Sequence, residues 1–408
     1  MRVVFLVAAI VMVGGLGSTE VNDSRPPGIN GETWQFGPHN RWAYTHIREI
    51  LPTKDILNDS SFVQPIPGLK DAKKDLSIKF SGQTTRLSAV MRDQFIDGIL
   101  VIKNGTAIAE LYGGTLTPNH THLMWSVSKT IAGLTAATVE ADGLIDLNKT
   151  VSSYVPELSK SGWGENTLRE LLDMRDSSNW VEDYDSPEST VRRQDCADGL
   201  LTGPMCIDTD VVGNYKFLPA VGTDTTRQGT FIYKSGTTDV MAWVLEAATG
   251  KRYADLVSER LWKPLGAEQN AGITVDVSGF TLASGGMFTS LRDAARIGQL
   301  ILNKGRVGRT QVIPETWIND VLTQQGDGKL LPLGSESVAP YYRSFIWGIG
   351  DGKGTVLARG VHGQFIYISP STGVVIAMYS SWPNADGGAP RVGFDNALKL
   401  LESIKNSI

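Results

Sequence analysis

The chain has 408 residues, 41% of them hydrophobic, with a formal net charge of -5 and a pI near 5.6. That length and apolar content allow a large core shared between two lobes. The acidic balance, with no basic run and no aromatic-basic stripe, argues against a nucleic-acid footprint.

Residues 1–17 read as a secretory signal: Arg2 supplies the charge, residues 3–13 are an unbroken apolar run, and Gly15, Leu16 and Gly17 flank a cut. The apolar run falls short of the roughly 20 residues that span a bilayer. Export to a periplasmic or extracellular space is therefore expected, with no membrane span after the signal is removed. No cysteine lies near the cut, so no lipid anchor is expected either.

Residues 18–75 are polar and broken by Pro26, Pro27, Pro52, Pro65 and Pro67, which suggests an ordered arm lying over the main body. Trp34, Trp42 and Tyr44 are its candidate anchors. A helix is expected over 87–95, then two strands at 98–102 and 107–112 around the hairpin signal Asn104-Gly105.

Trp125-Ser126-Val127-Ser128-Lys129-Thr130 then opens an apolar, small-residue segment through Val139. As a helix it sets Ser126 and Lys129 three apart on one face, with the hydroxyl at the positive end of the helix dipole. A serine hydroxyl attacks only if something takes its proton, and a neutral lysine within hydrogen-bond reach can. Bringing a lysine from about 10.4 to about 7 costs roughly 4.6 kcal/mol, which demands burial beside polar or cationic groups. A bare S-x-x-K is also met as a solvated helix turn; here it occurs once, in surroundings unusual for a surface turn.

The segment ends near Gly143, and Thr167-Leu168-Arg169-Glu170 fits a capping box. Residues 178–229 look like a long loop rich in Asp and Gly, of the kind that builds a binding wall. They hold the only cysteines, Cys196 and Cys206. In an oxidising compartment these would pair and clamp the loop, whereas as two buried thiols they would be inert; export favours the disulfide. Helical periodicity returns at 240–248, 253–261 and 290–302, and strands follow at 345–349, 364–369 and 374–380. Strands, a helical middle and strands again require the two ends to meet in one sheet. The division expected is an α/β lobe from 76–124 and 281–408, and a helical lobe from 125–280 with the serine helix at the interface.

Five blocks in order resemble the serine hydrolases related to class C β-lactamases and penicillin-binding proteins, and within them the branch of 6-aminohexanoate-dimer hydrolase and related esterases. They are Trp125 to Lys129 with Ala141-Asp142-Gly143-Leu144; Thr167 to Met174; Tyr233-Lys234-Ser235 with Pro264-Leu265-Gly266; Ala283 to Met287 with Ser290 to Ala295; and Gly360-Val361-His362-Gly363-Gln364. The resemblance covers residues 98–381. It implies an α/β fold of the α+β type, an antiparallel sheet flanked by helices with an inserted all-helical lobe.

It also implies an acyl-enzyme on Ser126 with Lys129 as base and Tyr233, in contact with both, as proton shuttle. Ser235, Gly360 and His362 would meet substrate, His362 being as readily a structural histidine satisfied by backbone. The oxyanion hole would use the N–H groups of Ser126 and of Val361, the latter on an edge strand. That register puts Ala358 where β-lactamases carry the lysine of K-T-G, which counts against β-lactam hydrolysis; Lys234-Ser235-Gly236 mimics the motif in the wrong block. The function expected is hydrolysis of a small-molecule amide or ester. The alternatives are a β-lactamase or D-alanyl-D-alanine carboxypeptidase, and a non-catalytic binding protein of the same fold.

Other chemistries lack their motifs. There is no G-x-S-x-G, no H-E-x-x-H among the five histidines, and no G-x-G-x-x-G or Walker loop. No metal and no organic cofactor are expected.

Overall fold

The structure, a computed structural model, describes residues 24–323 and 341–408. The leader expected at 1–17 lies outside the described residues.

Among the described residues seven antiparallel strands form the main sheet, in the order Tyr341–Arg343, Ile346–Gly348, Val356–Gly360, Gln364–Ser369, Val374–Ser380, Ile96–Lys103, Thr106–Tyr112. The two ends of the chain join where Val374–Ser380 pairs with Ile96–Lys103, Ile376 opposite Val101. The following hairpin turns on Asn104 at φ 48° and Gly105 at φ 78°, the left-handed pair that a two-residue turn of primed type requires. Both central strands are near-continuous apolar runs because both faces are covered. Helix Leu291–Leu302 lies on one face, so close that a Cβ on Gly298 would stand 2.4 Å from Val375. Trp125–Val127 and helix Ser128–Ala141 meet the C-terminal strands of the same sheet.

A second sheet takes in four residues of the expected arm. Its order is Thr53–Ile56, Ala271–Thr274, Met287–Thr289, His122–Leu123, so residues 53–56 are an edge strand of the body rather than a cover. Backbone pairing of Ile56 with Ala271 supplies what polar side chains could not signal in the sequence. Trp34, Trp42 and Tyr44 are buried around it.

The segment 178–229 is more ordered than its composition suggests. Helix Thr190–Ala197 starts at Ser189, whose hydroxyl accepts from the Arg192 N–H, and Cys196 and Cys206 form a disulfide at its end with 5.4 Å between Cα atoms. Its sequence, Thr-Val-Arg-Arg-Gln-Asp-Cys-Ala, has almost no apolar face; side-chain pairs such as Arg192–Asp195 hold it instead. The capping box at Thr167 is complete: Thr167 N–H donates to Glu170 Oε2 at 2.8 Å and Glu170 N–H to Thr167 Oγ1 at 3.2 Å.

Candidate active site

Ser126 sits in the 3-10 turn Trp125–Val127, and Lys129 one turn on in Ser128–Ala141. This helix is buried on almost every side, which its Ala, Gly and Thr content permits. Gly133 is the tightest point: a Cβ there would stand 2.4 Å from the Ser344 carbonyl oxygen.

Lys129 is 1% exposed. Its Nζ donates to Ser126 Oγ at 2.8 Å, Ser235 Oγ at 3.0 Å and the Ser284 carbonyl at 2.7 Å. Ser235 opens helix Ser235–Thr249, and Glu182 caps that start, accepting from Ser235 N–H at 2.8 Å and Ser235 Oγ at 2.5 Å. Ser284 is held by its own N–H on Asp239 Oδ1 at 2.9 Å. Two of the three positions around the amine thus face groups that only accept from it: a carbonyl, and a hydroxyl whose proton is spent on Glu182. The third faces Ser126, where a lone pair on a neutral amine would have to point. Ser235, expected to meet substrate, lines the cavity, with its hydroxyl proton on Glu182 and its oxygen accepting from Lys129.

Tyr233 meets Lys129 by its ring, Nζ lying 5.0 Å from the centroid. No hydrogen bond joins its phenol to Ser126 or Lys129 among the described residues. The ring also stacks on Trp347 at 5.5 Å.

Gly360 and Val361 correct a detail of topology. Val356–Gly360 is an interior strand, yet Ile346–Gly348 pairs with it only as far as Leu357, leaving the rest of one side open. Gly360 uses that opening: a Cβ would stand 2.9 Å from Ser126 N and 2.7 Å from Met124 O. Neither Ser126 N–H nor Val361 N–H has a backbone acceptor among the described residues. His362 is buried, its Nδ1 2.8 Å from the Trp382 carbonyl, and burial pushes its pKa down to about 4. Neutral, it stacks on Trp125 at 5.6 Å and lines the cavity with no contact to Tyr233.

Ser126 and Val361 stand between two spaces. The inner cavity has apolar walls from Trp34, Trp125 and Leu282 and a floor of Arg192, Asp195 and Asp198. Burial raises Asp195 to about 6, opposed by Arg192 at 2.9 Å. Burial and the neighbouring Asp276, Asp239 and Asp195 hold Asp198 well above the carboxylate range; its Oδ2 accepts from Asn214 at 3.0 Å and its Oδ1 has no partner among the described residues. The outer cleft is lined by Tyr184, Tyr233, Arg359, Asp386 and Phe394.

Glu182, Tyr184, Asp195, Asp198 and Arg359 escaped the sequence reading. Glu182, Tyr184, Asp195 and Asp198 lie outside any local motif, and Arg359, though next to Ala358, carries no role that its neighbours in sequence imply.

The family model described as beta-lactamase matches residues 88–399. The chain belongs to the beta-lactamase family. It is 34% identical over 384 residues to 6-aminohexanoate-dimer hydrolase of Paenarthrobacter ureafaciens, covering 90% of this chain and 93% of that protein. A solved structure from Bacillus anthracis, provisionally named a 6-aminohexanoate-dimer hydrolase, superposes with a TM-score of 0.80 at 26% identity, over 93% of this chain and 95% of that one. A family VIII carboxylesterase shares the fold at TM-score 0.55 and 16% identity, over 79% of this chain and 95% of that one. The chain is thus a serine hydrolase of this family, with its α/β lobe drawn from both chain ends.

Proposed function

We propose that this hydrolase cleaves a small linear amide of the 6-aminohexanoate-dimer type through an acyl-enzyme on Ser126. The observation that carries the chemistry is the buried Lys129 Nζ, 2.8 Å from Ser126 Oγ and tied to two further acceptors. Ser126 attacks the carbonyl carbon as Lys129 takes its proton, and the N–H groups of Ser126 and Val361 receive the developing oxyanion. Tyr233 passes a proton to the leaving nitrogen, and water then cleaves the acyl-enzyme with the same groups in reverse.

Substrate choice rests on the inner cavity. A cavity with apolar walls that also carries Asp195, in balance with Arg192, suits an acyl chain that ends in an ammonium, as one half of a 6-aminohexanoate dimer does. Short esters would be turned over by the same machinery. Ala358, buried on the strand leading to Val361, offers no cation for a β-lactam or D-alanyl carboxylate.

The test compares wild type with Ser126→Ala on the linear 6-aminohexanoate dimer, p-nitrophenyl butyrate and nitrocefin. Serine-dependent turnover of dimer and ester without nitrocefin is expected; nitrocefin turnover with an inert dimer would overturn the substrate reading. Export on residues 1–17 is part of the same proposal. Amino-terminal sequencing of the protein from culture medium or periplasm would check it, an intact Met1 counting against it.

A further inference from the structure

Arg359 borders the outer cleft with Ser126, Tyr233 and Val361. It stands two residues before Val361 in Val356–Gly360, opposite Phe365. Its guanidinium carbon is 4.3 Å from the ring centroid of Trp347 and 4.3 Å from that of Phe394, a planar cation flanked by two aromatic faces. Trp347 in turn stacks on Tyr233 at 5.5 Å. Trp347 thus links the cation to Tyr233, and both border the cleft outside Ser126.

Its charge is unanswered. Arg169, Arg192, Arg292, Arg296 and Arg343 each hold a carboxylate at ion-pair distance. Arg359 has neither an ion pair nor a side-chain hydrogen bond among the described residues, and burial pulls its guanidinium below the ordinary arginine range. The three acids that share the cleft do not pair with it: Asp395 makes no ion pair with Arg359 among the described residues. Glu182 is spent on Ser235, Trp180 and Tyr184, and Asp386 acts on Arg359 only through space. A half-buried guanidinium with its donors free is a carboxylate site, since its fork matches two carboxylate oxygens.

We propose that Arg359 binds the carboxylate at the far end of the leaving group, so that this cleft selects amides by the charge of their amine half. This rests on the amide-hydrolase reading above and adds a second recognition point to it, opposite in sign to Asp195 and on the other side of Ser126.

The experiment titrates hexanoate and its uncharged isostere hexanamide into the full chain by calorimetry, for wild type, Arg359→Gln and Arg359→Lys, with melting curves to confirm folding. Hexanoate is expected to bind wild type at least about tenfold more tightly than hexanamide, which a single charge-assisted hydrogen-bonded pair supplies. R359Q should erase that preference and R359K retain part of it. Equal binding of the two ligands by wild type, or a preference that survives R359Q, would overturn the proposal. If R359Q fails to fold, R359K decides: an undiminished preference there argues against recognition by the guanidinium fork. In parallel, R359Q should raise KM for the 6-aminohexanoate dimer and leave its amide-capped analogue unchanged. A dimer inert to wild type beside an Arg359-dependent hexanoate site would sink the substrate reading and leave the carboxylate site standing.

Discussion

Glu182 accepts four hydrogen bonds, from Ser235 N–H, Ser235 Oγ, Trp180 Nε1 and Tyr184 OH. A carboxylate can only accept, so all four protons point at it and the Ser235 oxygen is left for Lys129. Glu182→Gln puts an amide donor among those donors and frees the Ser235 proton to turn toward the amine. The expected result is a fall in kcat of about 10²-fold, of the size seen when general-base geometry is lost. The melting temperature should move little, and a pH-rate profile would separate the two effects. Asp195 supports a second prediction at this scale. Its pKa of about 6 lies above the ordinary carboxylate value, so the carboxylate charge that attracts an ammonium is present above pH 6 and lost as pH falls through it. KM for the dimer should therefore rise below pH 6, while KM for p-nitrophenyl butyrate, which carries no ammonium, stays flat over the same range.

At the scale of elements, the nucleophile is set by how closely Ser128–Ala141 approaches its neighbours. Gly133 lets the Ser344 carbonyl come against the helix, and an added Cβ at 2.4 Å meets backbone that cannot swing away. Gly133→Ala should destabilise the fold by roughly 1–3 kcal/mol despite alanine's better helix propensity, because overpacking against backbone outweighs the propensity gain. Chemical denaturation would measure it, and an unchanged or raised midpoint would show that the helix can shift. Helix Ser235–Thr249 does a related job: its first residue carries the hydroxyl that Lys129 needs, and its N-terminus attracts Glu182.

At the scale of the molecule, the inner cavity draws on distant stretches of the chain, among them Trp34, Trp125, the helix with Asp195, Ser235, Leu282 and the loop with His362. His362 links that cavity to global stability. Its folded pKa of about 4 lies below the ordinary histidine value of 6.5, so between those values the unfolded chain binds a proton that the folded chain refuses. Its contribution is intact above pH 6.5 and lost as pH falls toward 4. His362→Gln should remove that loss, so that relative to wild type the variant gains up to about 3 kcal/mol across the window. Melting curves from pH 7 to pH 4 would test it; parallel curves would mean that His362 titrates normally.

Sequence alone determined what local covalent order decides. Ser126 and Lys129 are one helical turn apart, Thr167 and Glu170 cap each other, and Asn104-Gly105 turns a hairpin, because each depends on residues three or four apart and on backbone preference. The antiparallel sheet and helical insertion were also legible, since apolar periodicity reports which faces are buried. What only the tertiary structure decided is everything assembled across long separations. Residues 53–56 of the arm became a sheet edge through backbone hydrogen bonds, which leave no side-chain signature. Glu182 met Ser235 across 53 positions, and Arg359 met Trp347 and Phe394 on separate elements. Charge and desolvation at such points depend on distances in space, and no spacing along the chain encodes them.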